Sequence, residues 1–161
     1  KLSDYSGKYV VLEWVNPDCP FVKKHYDSGN MPTLQKTAGD DVAWLVISST
    51  HPSHREYRDG ANLEAWLKAK GGAPTALLMD PEGTVGKLYD AKTTPHMFVI
   101  NPGGELIYAG AIDSTRSANP ADIKTSTNYV QAALSEARAG KPVTTPVTTA
   151  YGCTIKYSAS R

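Results

Sequence analysis

The chain has 161 residues, 40% hydrophobic and 20% charged, with a formal net charge of +1. That length and composition imply one domain with a real core. The near-neutral balance and the lack of a basic run argue against nucleic acid as a partner. No stretch approaches the roughly 18–20 apolar residues of a membrane helix. The chain opens on Lys1-Leu-Ser-Asp-Tyr-Ser-Gly, which reads as the interior of a domain. A truncated N-terminus is therefore expected, and a periplasmic or secreted setting is the compartment favoured. Two cysteines, Cys19 and Cys153, allow one disulfide at most and are too far apart for a local metal knuckle.

In chain order, Val10–Val15 is a short apolar run, the pattern of a strand buried on both faces. Glu13 interrupts it, and a carboxylate there is costly unless paired or protonated. Asn16-Pro-Asp18 is turn chemistry. Pro20 suits the first position of a helix, which puts Cys19 at or next to the N-cap. The helix runs through Tyr26, breaks at Ser28-Gly-Asn30 and resumes over Met31–Lys36. Val42–Ser48 is the next buried strand. Ser49–Gly60 is polar, contains His51 and His54 and reads as an irregular loop or short helix, and Asn62–Lys70 is an amphipathic helix ended by Gly71-Gly72. Pro74–Met79 reads as a strand and Val85–Tyr89 as a short helix. Met97–Ile100 and Glu105–Ala111 are strands joined by the turn Asn101-Pro-Gly-Gly104. A last long helix is expected over Ala121–Ala139, stopped by Gly140, and a Thr/Val/Pro-rich tail follows. Helices between the early strands imply parallel pairing, and the late glycine turn implies an antiparallel hairpin.

Cys19 is the candidate reactive centre. A sulfur at a helix N-terminus faces unpaired N–H groups and the positive end of the dipole, which favours thiolate, the reactive form. Lys23 and Lys24 lie one turn on and add positive charge. The bland alternative is an inert buried cysteine. His25, His51, His54 and His96 show no persuasive ligand context, so no metal and no cofactor is expected.

Leu2–Trp14 resembles the entry to thioredoxin-like domains of the alkyl hydroperoxide reductase/thiol-specific antioxidant type. Asp18-Cys19-Pro20 is similar to the active-site turn of that superfamily, and Thr94-Pro95 resembles its cis-proline position. The ending Tyr151-Gly-Cys-Thr-Ile-Lys-Tyr157 resembles the Gly-Cys-x-Ile-Lys-aromatic ending of a peroxiredoxin-like subgroup. The resemblance implies an α/β thioredoxin-like fold: a central mixed sheet flanked by helices over residues 1–140, with residues 141–161 as a tail carrying Cys153.

The same resemblance implies thiol-based redox chemistry, by disulfide exchange or by peroxide reduction. Cys19 would be the nucleophile, and Glu13 a buried proton relay whose pKa is raised by burial. Asn16 would contact the peroxide or thiolate, and Pro20, Thr94, Pro95 and His96 would form the substrate-facing surface. Cys153 has two readings, a resolving thiol or a structural anchor of the tail, with a second chain as another possible partner. Twelve residues separate it from Gly140, a reach of roughly 40 Å. The expected partners are a protein or small-molecule thiol, disulfide or peroxide, and a thiol electron donor that the sequence leaves unknown. Departures from the family pattern also matter. Val22 stands where a thioredoxin has its second cysteine, and Asn16 and Leu12 stand where peroxiredoxins have Thr or Ser and Pro. Val15 replaces the first cysteine of Sco-type copper chaperones. The alternative from another class is a non-catalytic binding module such as a copper carrier using Cys19, Cys153 and a histidine.

Overall fold

The computed structural model describes residues 1–158. Seven strands and five α-helices follow one another: β1 (Tyr9–Trp14), α1 (Pro20–Asp27), α2 (Asn30–Thr37), β2 (Val42–Ser48), α3 (Gly60–Ala69), β3 (Ala76–Met79), α4 (Thr84–Leu88), β4 (Thr93–Thr94), β5 (His96–Ile100), β6 (Leu106–Gly110), α5 (Tyr129–Arg138) and β7 (Cys153–Thr154). Five strands form one sheet in the order β3-β2-β1-β5-β6. β1 and β2 run parallel, as do β2 and β3, whereas β5 is antiparallel to both β1 and β6. The mixed sheet expected from the element order is therefore present.

Alternation along β1 sends Val11, Glu13 and Val15 to one face and Val10, Leu12 and Trp14 to the other. The first face packs against Tyr26, Met31, Leu67, Val130 and Leu134 from α1, α2, α3 and α5. Both early crossovers step across the sheet in the same direction, so right-handed connections put their helices on one side. The second face is covered by Tyr89, Ala91, Ile155 and Tyr157, so the tail completes this side of the core.

Two local expectations are corrected. The helix expected over Ala121–Ala139 is a 3-10 turn at Pro120–Thr125 followed by α5. Asn128 caps α5 by accepting from the Gln131 N–H at 2.9 Å. The residues before it are drawn into pairing with the chain after β6, through a bridge between Asp113 and Asn128. The strand expected over Pro74–Met79 begins only at Ala76: the Trp44 N–H donates to the Thr75 side-chain hydroxyl at 2.9 Å rather than to a backbone carbonyl. The break between α1 and α2 falls at Gly29, whose φ of +81° suits a residue without a Cβ.

Residues 141–158 wrap back over the domain. The Ala109 N–H donates to the Pro146 carbonyl, and the Thr148 N–H returns a bond to the Ala109 carbonyl. Val147 thereby covers part of the outer edge of β6. Further along, β7 pairs antiparallel with β4.

Candidate functional site

Cys19 lies where β1 hands over to α1. The turn is built by Asn16, whose side-chain Oδ1 accepts from the Asp18 N–H at 3.0 Å while its carbonyl accepts from the Cys19 N–H at 3.1 Å. Asn16 Nδ2 donates to Glu56 at 3.0 Å, and Arg58 pairs with Asp18 at 3.0 Å, so the β2–α3 loop is tied to this turn. Both polar ends of the Asn16 side chain are thus engaged in building the loop. Pro20 occupies the first turn of α1 and is exposed, while Cys19 is the N-cap, in extended conformation and only 2% exposed.

The Cys19 thiol donates to the Thr94 carbonyl at 3.1 Å. Thr94 precedes Pro95 across a cis peptide. Its Cα is the ladder partner of Cys153, which brings the Cys153 thiol close enough to Cys19 to be perturbed by it. The two cysteines, Thr94 and Pro95 therefore come together at one end of the sheet, and both cysteines are free thiols. Cys153 is half-buried, and its thiol is pushed up to about 12, first by burial and then by the hydrogen bond and charge of Cys19. Lys156 and the Phe21 N–H oppose that rise. Pro20 has no N–H, so Phe21 offers the first backbone donor of α1, and that donor goes to Cys153. The Thr94 Oγ1 is buried without a partner among the described residues.

Glu13 lies deeper, fully buried. Its carboxylate accepts from Tyr26 at 2.5 Å, Trp44 at 2.8 Å and Gln35 at 3.1 Å. Tyr26 is seven residues beyond Cys19 along α1, roughly 10 Å at the helical rise. Burial pushes Glu13 up to about 7, against the three hydrogen bonds that favour its charged form. His96 shares the parity of Phe98 and stacks on its ring at 4.6 Å, on the sheet face opposite the one where Cys19 packs. Its Nδ1 accepts from the Lys92 N–H at 3.1 Å, and burial lowers its pKa to about 4. The structure therefore does not join His96 to the Cys19 cluster.

Lys24 also departs from expectation. It is buried, and its ammonium donates to Tyr151 OH, the Thr115 carbonyl and Ser117 Oγ at 3.2–3.4 Å. Tyr151 OH in turn donates to Asp113 at 2.6 Å and lies 3.0 Å from His25 Nε2. Sequence reasoning missed Tyr151 and Asp113 as site residues, together with Glu56 and Arg58. The one available signal was Tyr151 standing two residues before Cys153. Among the described residues no group of three His, Cys, Asp or Glu side chains is placed to hold a metal ion.

The sheet order, the Cys-Pro turn at the start of α1 and the adjacent cis-proline define a thioredoxin-like α/β domain. Residues 1–109 match the AhpC/TSA family, and the chain belongs to that family. Among curated proteins no match is found. Solved structures similar to it include a hypothetical protein of Sinorhizobium meliloti, at 26% identity over 99% of this chain and 85% of that one, with a TM-score of 0.76. An uncharacterized conserved protein of Geobacillus kaustophilus is 23% identical over 98% of this chain and 81% of that one, with a TM-score of 0.80. The exposed lipoprotein thioredoxin of Streptococcus pneumoniae is 25% identical over 77% and 87%, with a TM-score of 0.54. Family membership supports a thiol oxidoreductase in the general sense. No helix among the described residues is long and apolar enough to cross a membrane.

Proposed function

We propose that the protein is a thiol–disulfide oxidoreductase in which Cys19 attacks and Cys153 resolves. The observation that carries this reading is the shared residue Thr94, whose carbonyl accepts from Cys19 while its backbone pairs with Cys153. Cys19 attacks one sulfur of a substrate disulfide; the S–S bond breaks and one thiolate leaves, taking up a proton. Cys153 then loses its proton and attacks the Cys19 sulfur, forming Cys19–Cys153 and releasing the second thiol. The substrate disulfide is reduced to two thiols, and the protein's dithiol is oxidised to one disulfide.

The high pKa of Cys153 gives this sequence an order. Two of its causes, the hydrogen bond and the charge of Cys19, disappear once Cys19 is in a mixed disulfide. Cys153 therefore becomes a better nucleophile once Cys19 has reacted, with burial, the first cause, still opposing its ionisation. Disulfide exchange is favoured over peroxide reduction because both ends of the Asn16 amide are held by Asp18 and Glu56. The polar group facing Cys19 is then an acceptor, the Thr94 carbonyl, and a departing peroxide oxygen needs donors. Residues 1–140 act as the redox domain and 141–161 as the tail that supplies the second thiol. An extracytoplasmic setting fits the likeness to an exposed lipoprotein thioredoxin.

The test is stopped-flow mixing of the reduced chain with 5,5′-dithiobis(2-nitrobenzoate), with hydrogen peroxide in a parallel run. The wild type should release two thiolates per chain. Cys153→Ser should stop after one and retain a mixed disulfide on Cys19. Cys19→Ser should lose the fast phase. A Cys19→Ser variant that keeps the wild-type rate overturns the reading, and faster turnover with peroxide than with disulfide replaces it by a peroxidase.

A further inference from the structure

We infer that Tyr151 is a positioning residue: its hydroxyl, held in a buried cluster by Lys24, His25 and Asp113, docks the tail so that Cys153 meets Cys19 already aligned. This rests on the reading of Cys153 as the resolving thiol. Among the described residues Tyr151 is the only tail residue in that cluster. The other three come from α1 and from the chain after β6, and all four are buried to at least 97%. The hydroxyl makes three contacts, donating to Asp113 at 2.6 Å, accepting from Lys24 at 3.2 Å and lying 3.0 Å from His25. It thereby bridges a buried ammonium and a buried carboxylate, and uncompensated charges of this kind are costly to leave. Asp113 Oδ2 has no hydrogen-bond partner among the described residues, with His25 Nε2 3.8 Å away, and the other donor to the carboxylate is the Thr115 N–H at 3.1 Å; loss of the Tyr151 hydroxyl would leave it one donor. The ring is held as well, edge-on to Phe21 of α1 at 5.7 Å.

The link from Tyr151 to Cys153 is a single glycine. Gly152 has φ of +151°, and a Cβ there would press on the Thr94 carbonyl, 2.7 Å from its carbon. The tail thus lies flush on the peptide that accepts from Cys19. With a rise of about 3.3 Å per residue, Cys153 is roughly 7 Å from the anchor, so movement of Tyr151 is passed on to the sulfur. Aligned reactants convert a slow encounter into a fast intramolecular step. The same docking covers Cys19, since Tyr151 and Cys153 belong to the cluster that packs around it. Loosening the anchor should therefore act oppositely on the two chemical steps.

Tyr151→Phe removes the hydroxyl and keeps the ring. With 5,5′-dithiobis(2-nitrobenzoate) as substrate, the second thiolate release, which is ring closure by Cys153, should slow at least tenfold. The first release, attack by Cys19, should be unchanged or faster. Gly152→Ala leaves the hydroxyl cluster intact, lifts the tail from Thr94 and should give the same split; it serves as the test if Tyr151→Phe fails to fold. Closure within twofold of wild type, or equal slowing of both steps, overturns the inference. If Cys153→Ser itself completes the second release, the fault lies in the resolving-thiol reading instead.

Discussion

Replacing Glu13 by Gln should change how stability depends on pH, by an amount the structure sets. Glu13 receives three hydrogen bonds, from Tyr26, Gln35 and Trp44, yet burial outweighs them and raises its pKa from 4.5 to about 7. The unfolded chain releases this proton near 4.5 and the folded chain only near 7. Between those values the folded state binds more protons, so the Glu13 contribution is fully present below pH 4.5 and lost as the pH rises through 7. At about 1.4 kcal/mol per pH unit the loss is about 3 kcal/mol. His25 and His96 act in the other direction. Burial is the leading cause that lowers each to about 4, so their contributions are present above 6.5 and lost as the pH falls through 4. The wild-type curve is therefore a composite, and the difference between variant and wild type isolates Glu13. Gln is nearly isosteric and cannot ionise, so any packing cost is a constant offset. Urea unfolding followed by tryptophan fluorescence at pH 5, 6, 7 and 8 should show the variant gaining about 2.5 kcal/mol relative to wild type across that range, the rest of the change lying below pH 5. A difference that stays constant within about 0.5 kcal/mol would refute the burial argument.

Gly86→Ala would place a Cβ against the Tyr157 hydroxyl and 2.8 Å from Ser49 Oγ. It should cost about 1–3 kcal/mol by overpacking. Much of that cost should vanish in a Tyr157→Ala background, measured as a double-mutant cycle in urea. Asn16→Ala removes the acceptor for the Asp18 N–H and the donor to Glu56. It should lower stability by about 2 kcal/mol and slow the first step with disulfide and with peroxide by the same factor. A selective loss of peroxide turnover would instead assign Asn16 to peroxide chemistry.

The elements that sequence reasoning located are those whose burial is uniform or whose ends carry specific turn chemistry. β1 and β2 are apolar along nearly their whole length because both faces are covered, and Pro20 marks the start of α1 without tertiary help. The Ala121–Ala139 region misled because its alanine-rich spacing suits a helix, whereas Asn128 is a better cap than interior residue and its neighbours have strand-like partners after β6. β4 and β7 are two residues each, too short to carry any alternation. Of the residues that the structure brings together, Cys19, Pro95 and Cys153 were legible as motifs, since turn residues and rare cysteines stand out in any context. The Lys24, His25, Asp113 and Tyr151 cluster was not, because its members come from three distant segments. A lysine one turn into a helix also gives no sign that a returning tail will bury it.

The proposed pairing of Cys19 with the distant Cys153 has an energetic consequence. Val22, at the position of a nearby second cysteine, is buried in the core at 1% exposure, so this helix face is used for packing. A Cys19–Cys153 bond would close a loop of roughly 130 residues, worth about 5 kcal/mol to the fold in the chain-entropy picture. Linkage makes that figure reciprocal: whatever the bond adds to folding, folding adds to the bond. At about 30 mV per 1.4 kcal/mol, the pair would be oxidised at a potential roughly 100 mV below that of the same pair in an unfolded chain. On the proposed function, a docked tail would favour the disulfide, and an electron donor would have to work against that preference. Contacts remote from the sulfurs set its size: Tyr151 in its polar cluster, Ile155 in the second-face core and Tyr157 against Gly83 and Gly86. Weakening any of them should raise the reduction potential of the pair without touching either cysteine.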